Sequence, residues 1–549
     1  MLLLSRIIPS LVSISVKNSS SLSVRSPNPV LAEFIHSVIK AEHDTVVNSI
    51  CDSFRRGLNW DSLTQKFDSV QLNDFIVEKV LVDLKEPTDA KRALAFFHWS
   101  ARRKKFAHGI QSYCITIHIL VRAQLLMDAR ALLESVLNKH AGNSLILSVV
   151  DSLLNSYKIS SSTPLVFDLL IQAYAKLRMF EVAFEVCRYL EKHNFFLSII
   201  SFNTLIHVVQ KSNQIPLVWK IYEHMIQKRA YPNEVTIRTM ITALCKEGQL
   251  QKYVNILDRI HGKKCSPSVI VNTSLILRML EDRRIEDSMV LLKRMLQKNM
   301  IFDTMAYSLI VHAKVELGDL ESAYNVYEEM LRRGFQANPF ISTLFIRAHC
   351  KEGRIEEAHC LMQEMESMGL KPYGETFDLL IEGCAKAGQL EESLSYCEKM
   401  LERRLVPSCW AFNEMVGKLC EKGDVEQANA MLTILLDKGF LPTEVTYSLL
   451  IEGYGKQCDI DGILKLYYES EYRALSPGLL LYTSLIRSLC LCGKLAEAEK
   501  YLRIMIERSL VPTVCIYDTL IESYYKKGDR KRALHYRNEM ISQGLECLV

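Results

Sequence analysis

Small polar side chains recur in this sequence at intervals of 35 residues. When Pro164 is taken as position 1, windows of 35 residues run without insertion or deletion from 164 to 548, which gives eleven repeats. Position 5 is polar in every repeat, and all but one of these side chains are short. They can donate and accept hydrogen bonds without filling the space in front of them. The position-5 residues are Asp168, Asn203, Arg238, Thr273, Ser308, Thr343, Asp378, Asn413, Ser448, Thr483 and Asp518.

Two further columns accompany position 5 in each repeat. Position 2 is apolar in ten repeats, and Glu375 is the exception. At about 100° per residue, positions 2, 5, 9 and 13 of a helix fall on one side, which we call the polar stripe. The stripe therefore offers an apolar flank, a short hydrogen-bonding group and often a cation. The lysines at position 13 are Lys176, Lys211, Lys246, Lys351, Lys386, Lys456 and Lys526.

The remaining columns predict the elements that carry this stripe. Position 8 is Ile or Val in all eleven repeats, position 15 is Gly in seven, and position 34 is Pro in seven. Gly at position 15 ends a first helix and Pro at position 34 closes a second one. Helices of about 13 residues are marginal alone. We therefore predict an all-α solenoid of stacked helix-turn-helix repeats.

The sequence before the array has a weaker pattern. Residues 74–163 are interpreted as degenerate repeats with an insertion near 145–163, and residues 31–73 as an N-terminal helical cap. Residues 1–30 are rich in Ser, contain Arg6, Lys17 and Arg25, and have no acid before Glu33. This composition is typical of an organelle transit peptide. We expect a mitochondrial destination, with the plastid as the alternative.

Composition and motifs argue against several other classes of protein. The chain has 67 basic and 63 acidic residues, so any nucleic-acid binding depends on local charge. The sequence has no run of 18 apolar residues, and its 16 Cys are interpreted as free thiols. His349, Cys350, His359 and Cys360 are interpreted as packing residues rather than metal ligands. Since no catalytic motif stands out, we expect a protein that is not an enzyme and has no cofactor, no metal and no membrane partner.

The chemistry and period of the stripe match those of a single-stranded nucleic acid. Such a strand presents base faces, base edges and phosphates at regular intervals. The competing interpretation is a solvated helix face, but that predicts longer charged residues at position 5. We expect the stripe to be exposed along the array. Under this hypothesis a base packed beside Ile270 presents its edge to an exposed Thr273.

The repeat phrase resembles that of the pentatricopeptide repeat family, most clearly in TYSLLIEGYGK at 446–456. The resemblance extends over 164–548 and is to the P-type subclass of plant organelles. It implies a right-handed superhelical α-solenoid that binds single-stranded organellar RNA, one base per repeat. It also implies that position 35 recognises the base together with position 5. The position-35 residues are Ser198, Asn233, Ser268, Asp303, Asn338, Tyr373, Ser408, Thr443, Gly478 and Thr513.

The resemblance also implies a base for some of these pairs. Thr273 with Asp303 corresponds to G, whereas Asn203 with Asn233 corresponds to a pyrimidine. Ser308 with Asn338 corresponds to A, and Asn413 with Thr443 to a pyrimidine. Thr483 with Thr513 corresponds to a purine.

The expected function is occupancy of a transcript during processing, splicing, stabilisation or translation. We expect no deaminase-like or nuclease-like segment after the repeats. RNA-processing factors and the organellar ribosome are further expected partners. The alternative function is a protein-interaction scaffold or a component of the organellar ribosome.

Overall fold

The computed structural model describes residues 44–139, 146–473 and 475–545, and within these ranges the chain contains helices and no strand. The expected transit peptide lies outside the described residues, as does the cap before residue 44. The chain divides into two compact units, one up to Thr239 and one from Met240 onward. The predicted fold class, an all-α solenoid of helix-turn-helix repeats, is confirmed.

The first unit begins with short helices and continues into the regular array. A 3-10 turn at Pro87–Asp89 separates α3 from α4. The boundary between the units falls within α12. The helices are α1 (44–55), α2 (Trp60–Lys66), α3 (Asp74–Asp83), α4 (Ala90–Arg103), α5 (Ile110–Arg122), α6 (Leu126–Lys139), α7 (Ile146–Ile159), α8 (Leu165–Lys176), α9 (Phe180–Lys192), α10 (Ile199–Lys211), α11 (Ile215–Gln227) and α12 (Glu234–Lys246).

The second unit continues the alternation of first and second helices. From α8 onward, even numbers are first helices and odd numbers are second helices. The second unit holds α13 (Leu250–His261), α14 (Pro267–Glu281), α15 (Ile285–Gln297), α16 (Asp303–Glu316), α17 (Leu320–Arg332), α18 (Pro339–Lys351), α19 (Ile355–Ser367), α20 (Gly374–Lys386), α21 (Leu390–Glu402), α22 (Cys409–Lys422), α23 (Val425–Asp437), α24 (Glu444–Lys456), α25 (Ile460–Tyr472), α26 (Leu479–Leu491), α27 (Leu495–Glu507), α28 (Val514–Lys527) and α29 (Arg530–Ser542).

The helix ends follow the residues that mark them in the sequence. Gly353 at position 15 has a φ of 74°, a left-handed conformation that ends the first helix without a Cβ penalty. Position 35 is the N-cap of the next first helix in most repeats. Asn338, for example, accepts a hydrogen bond from the backbone N–H of Ile341. The same residue that is expected to recognise a base therefore also starts a helix.

Neighbouring first helices interlock through small residues. The side chain of Cys350 at position 12 fills the space that a Cβ of Gly383 at position 10 of the next repeat would occupy. Cys420 packs against Gly453 in the same way two repeats later. This contact gives a structural role to the cysteines that recur at position 12. It also lets the backbones of consecutive first helices approach closely.

The N-terminal helices form an aromatic core of their own. Phe54, Phe96 and Trp99 are buried and make edge-to-face or tilted ring contacts, and the carboxylate of Asp89 pairs with Arg55 and with Arg92. This core extends to Ile115 and Ile119 of α5.

The stretch interpreted as an insertion contains helix α7, which packs on α5. The imidazole Nε2 of His118 lies 2.9 Å from the carbonyl oxygen of Leu153, 35 residues further on. In the part of the chain that the structure describes, no helix is long and apolar enough to cross a membrane.

Candidate nucleic-acid interface

The first helices carry the polar stripe, and their lysines lie in solvent. All seven lysines at position 13 are exposed. The ammonium group of Lys386 also lies 5.4 Å from the ring centroid of Trp410, the position-2 residue of the next repeat. A cation therefore lies beside an exposed aromatic face at the junction of repeats 7 and 8.

Position 5 and position 35 come together in five repeats, as hydrogen-bonded pairs at the start of the next first helix. These bonds hold each pair in one geometry and leave part of its donor and acceptor capacity unused. The bonds are Ser198 Oγ to Asp168 Oδ1 at 2.8 Å, Asn203 Nδ2 to Asn233 Oδ1 at 3.0 Å, Asn338 Nδ2 to Ser308 Oγ at 3.1 Å, Ser408 N to Asp378 Oδ1 at 2.8 Å, and Asn413 Nδ2 to Thr443 Oγ1 at 3.5 Å.

A threonine at position 3 orients two of these pairs. The hydroxyl of Thr236 donates to Asn203 Oδ1 at 2.5 Å, and the hydroxyl of Thr446 donates to Asn413 Oδ1 at 2.8 Å. Each threonine also accepts from the backbone N–H of the position-35 residue, which forms the reciprocal capping of a helix start. Our sequence analysis missed these residues, although a threonine in an otherwise mostly apolar column was a usable signal.

Other pairs expected from the resemblance do not form in this way. Thr273 is fully buried and its hydroxyl lies 3.8 Å from the sulfur of Met305, whereas Asp303 is exposed as the first residue of α16. The expectation that Thr273 is an exposed side chain is therefore wrong. The reason is that Met305, at position 2 of the next repeat, packs against Thr273 and is itself fully buried.

Repeat 9 lacks a side chain at position 35. Gly478 leaves room that the carboxylate of Glu444 occupies, and Glu444 accepts a hydrogen bond from the backbone N–H of Leu481 at 2.8 Å. The hydroxyl of Ser448 is buried and has no hydrogen-bond partner in the described part of the chain. The position expected to pair with Asp518 is residue 548, which lies outside the described residues.

Burial divides the stripe into open and covered segments. Among the position-2 residues, Ile200 is 67% exposed and Trp410 is 56% exposed, but Met305 is fully buried. At position 5, Thr343 and Ser308 are also buried, and burial raises the pKa of the Asp378 carboxyl. The expectation of a stripe that is exposed along the whole array is therefore wrong for repeats 4 to 6.

The covering element is α13, the second helix of repeat 3. It contacts the first helices α16 and α18. The guanidinium of Arg259 bonds to the carboxylate of Glu375 at 2.8 Å and lies 4.2 Å from the ring centroid of Tyr373. Lys252 Nζ bonds to Glu281 Oε1 at 2.8 Å. A groove of about 640 Å³ remains between α13 and the stripe.

One carboxylate inside this groove is paired with a histidine. Glu316, at position 13 of repeat 5, lies against His312 with an N–O distance of 3.8 Å. Its interaction with the imidazole, aided by Lys351 and Arg347, lowers the pKa of Glu316 to about 2. The carboxylate therefore stays ionised throughout the physiological range.

The cysteine and histidine residues show packing geometry. His349 Nε2 lies 2.9 Å from the Tyr324 hydroxyl, and burial raises the pKa of Cys350 to about 12. Within the described ranges, no group of three or more His, Cys, Asp and Glu residues is arranged to hold a metal ion. Trp219 is buried on α11.

Two family profiles match this chain. The profile described as "PPR repeat family" matches 197–246, 338–386 and 407–456. The profile described as "PPR repeat" matches 166–195, 235–265, 305–335, 375–405, 445–473, 481–510 and 515–545. Together the matches cover more than half of the chain, and the chain belongs to the PPR repeat family.

Similar proteins are found in plants. One mitochondrial pentatricopeptide repeat-containing protein of Arabidopsis thaliana is 51% identical over 191 residues, 34% of this chain and 35% of that protein. A second one, also named as mitochondrial, is 31% identical over 145 residues, 26% of this chain and 27% of that protein. The matches thus span about a third or less of the length of these curated relatives.

Solved structures with the same kind of repeat were also found. The pentatricopeptide repeat protein PPR10 from maize is 17% identical, with 91% of this chain and 74% of that chain covered and a TM-score of 0.48. The same maize protein, in complex with an 18-nt psaJ RNA element, gives a TM-score of 0.44 at the same identity and coverage.

Proposed function

We propose that this protein binds single-stranded RNA sequence-selectively along the polar stripe, with one base per repeat. The observation that carries this proposal is the meeting of position-5 and position-35 side chains as ordered hydrogen-bonded pairs, such as Asn203 with Asn233. Fixed polar pairs beside apolar flanks suit the edges and faces of unpaired bases. The exposed lysines suit the phosphates.

The open segments of the stripe are the proposed sites of recognition. In the second unit, repeats 8 to 11 lie outside the contacts of α13 and have exposed Trp410, Val445 and Leu480 at position 2, whereas Ser448 at position 5 of repeat 9 is buried. The exposed position-2 side chains offer apolar surface against which bases can stack or pack. Positions Lys386, Lys456 and Lys526 provide cations on the same side, and all three are exposed.

The proposed role is binding by occupancy in an organelle, as a P-type member of the family. Two of the relatives are named as mitochondrial, and the basic, acid-free segment 1–30 agrees with import into that organelle. We expect a reporter fused to residues 1–30 to enter mitochondria. A reporter that stays in the cytosol would contradict the proposed location, and one in plastids would favour the alternative.

Recognition is tested by changing one exposed pair. In the variant Asn203→Ser, repeat 2 takes the combination of Ser and Asn that the family resemblance assigns to A instead of a pyrimidine. The side chain is half-buried and lies on the stripe, so the fold should survive. Thr204→Ser, on the next residue of the same helix, is the matched control.

Selection from a random RNA pool gives the measurement. We expect the wild type and Thr204→Ser to enrich the same motif, and Asn203→Ser to change one nucleotide of it from a pyrimidine to A. Base-specific contacts generally discriminate by about 1–3 kcal/mol, which is enough to alter an enriched motif. Identical motifs from all three proteins would refute recognition by this pair.

A protein-interaction scaffold is the second candidate, because in repeats 4 to 6 the stripe already holds a helix of the protein itself. A scaffold predicts that the native protein sediments constantly with a partner such as ribosomal subunits. It also predicts that no RNA motif is enriched. Sedimentation before and after ribonuclease treatment distinguishes the two functions.

A further inference from the structure

Helix α13 lies where RNA would lie if the proposed function is correct. Its contacts fall on the stripe of three successive repeats. The groove beneath it is lined by position 9 of repeats 4, 5 and 6 and by position 2 of repeats 6 and 7, which are Leu277, His312, Arg347, Phe340 and Glu375. We propose that α13 is an internal competitor of RNA, which closes the stripe of repeats 4 to 6 and must leave before these repeats can bind a strand.

Two of the sequence exceptions of the stripe coincide with contacts of α13. Glu375 is the only charged residue at position 2, and it pairs with Arg259 of α13 and with Arg347 of the preceding repeat. Glu281 stands where seven repeats have lysine at position 13, and it pairs with Lys252. Two acids that would repel a phosphate backbone thus attract a cationic helix face instead.

The far end of α13 is held by a different kind of contact. The imidazole of His261 stacks on Phe302 with ring centroids 4.9 Å apart, and its Nδ1 lies 3.3 Å from the hydroxyl of Thr304. Phe302 occupies position 34, where seven repeats have proline. Phe302 is therefore a third departure from the repeat columns, and it contacts His261, the last residue of α13.

RNA can compete with the ion pairs that hold α13 over the stripe. Lys252 and Glu281 are nearly half exposed, and Glu375 is 44% exposed, so both ion pairs are screened by solvent. α13 has 12 residues and buries Tyr253, Leu257 and Ile260, so detachment of the helix as a unit also exposes these three side chains. An RNA strand that supplies several phosphate and base contacts competes with the ion pairs and with this apolar contact.

The test uses a charge reversal with a matched control. Arg259→Glu places an acid against Glu375 and should open the helix. Lys264→Glu makes the same change of charge at an exposed residue in the turn that follows. Because Glu375 also pairs with Arg347, the double variant Arg259→Glu with Glu375→Gln removes the acid–acid contact and leaves Arg347 to attract the new carboxylate, so it should close the helix again.

Two measurements on the full chain separate the possibilities. Hydrogen exchange of residues 250–261 without RNA should accelerate in Arg259→Glu alone and return to the wild-type rate in the double variant. Binding to a random single-stranded RNA pool should tighten by roughly threefold to tenfold in Arg259→Glu, because apparent affinity scales with the open fraction. It should weaken or stay constant in Lys264→Glu.

The outcomes also distinguish this inference from the proposed function. If Arg259→Glu binds RNA no better than Lys264→Glu, or if its exchange in α13 is unchanged, the competitor role is refuted while RNA binding stands. If no form of the protein binds single-stranded RNA, the proposed function fails and the competitor role fails with it.

Discussion

Gly383→Ala tests the close contact between consecutive first helices. Gly383 lies in α20, and a Cβ at this position would stand 2.8 Å from Cys350 Sγ, 2.9 Å from Cys350 Cβ and 3.3 Å from Ile355 Cδ1. Distances this short force a shift of either the side chains or the backbone. Because Cys350 and Ile355 belong to the preceding repeat, the shift separates two repeats that the array must stack.

The magnitude follows from two opposing effects. Overpacking of a tight core contact costs about 1–3 kcal/mol. Replacing glycine by alanine inside a helix stabilises the folded state by about 1 kcal/mol. Gly417→Ala in α22 measures the second effect alone, because its Cβ would meet only Leu449 Cδ2, at an ordinary 3.9 Å. We therefore expect Gly417→Ala to be neutral or stabilising, and Gly383→Ala to lie about 1–3 kcal/mol below it.

Native-state hydrogen exchange is the suitable assay, since a repeat array need not unfold in a single step. Opening free energies would be compared for residues 339–402 in the wild type and in both variants. Gly453→Ala repeats the test elsewhere, since its Cβ would stand 2.6 Å from Cys420 Sγ. Equal opening free energies for Gly383→Ala and Gly417→Ala would show that the cysteine–glycine contact does not hold the repeats together.

Three further predictions follow from charge and burial. Replacing Lys386 and Lys456 by Gln should flatten the salt dependence of RNA binding by about 0.7 in slope per lost contact, and an unchanged slope in titrations at several salt concentrations would show that these lysines do not contact phosphates. Burial lowers the pKa of His108 and of His118 to about 4, so the unfolded chain binds more protons between pH 6.5 and 4. The free energy of unfolding should therefore fall as pH falls through this window, by up to about 3 kcal/mol for each histidine, and equal urea midpoints at pH 7 and pH 5 would contradict this. Burial, aided by a neighbouring thiol, raises the pKa of Cys492 to about 11. At pH 8, iodoacetamide should therefore modify Cys492 far more slowly in the folded protein than in the urea-unfolded protein, and mass spectrometry would measure the difference.

Much of the local structure could be predicted from the sequence. The glycine at position 15 and the proline at position 34 predicted helix ends that agree with those of α18, α19 and α20 within a few residues. The exposed lysines at position 13 also follow from column positions, whereas the pairing of Asn203 with Asn233 was expected only from the family resemblance. These features are local, because they depend on residues within one repeat or at its junction with the next.

Only one of the two hydrogen-bonding roles of the threonine at position 3 can be predicted from the sequence. Thr236 and Thr446 stand at the third residue of a helix, where a sequence reader expects helix capping. Their second bond, to the asparagine amide of the preceding repeat, exists only because two first helices pack side by side. The sequence shows the capping residue but not the acceptor that the fold brings to it.

By itself, the sequence determined the period, the helical hairpins and the column that faces the stripe, because each short helix must bury the same apolar face against its neighbours. Only the tertiary structure decided where α13 lies and in which repeats it covers the polar stripe. The contact between Arg259 of α13 and Glu375 joins residues 116 positions apart and occurs once, so the 35-residue period does not predict it. In the sequence, Glu281 and Glu375 look like exceptions in two columns, and their partners become visible only when a helix from another repeat is placed against them.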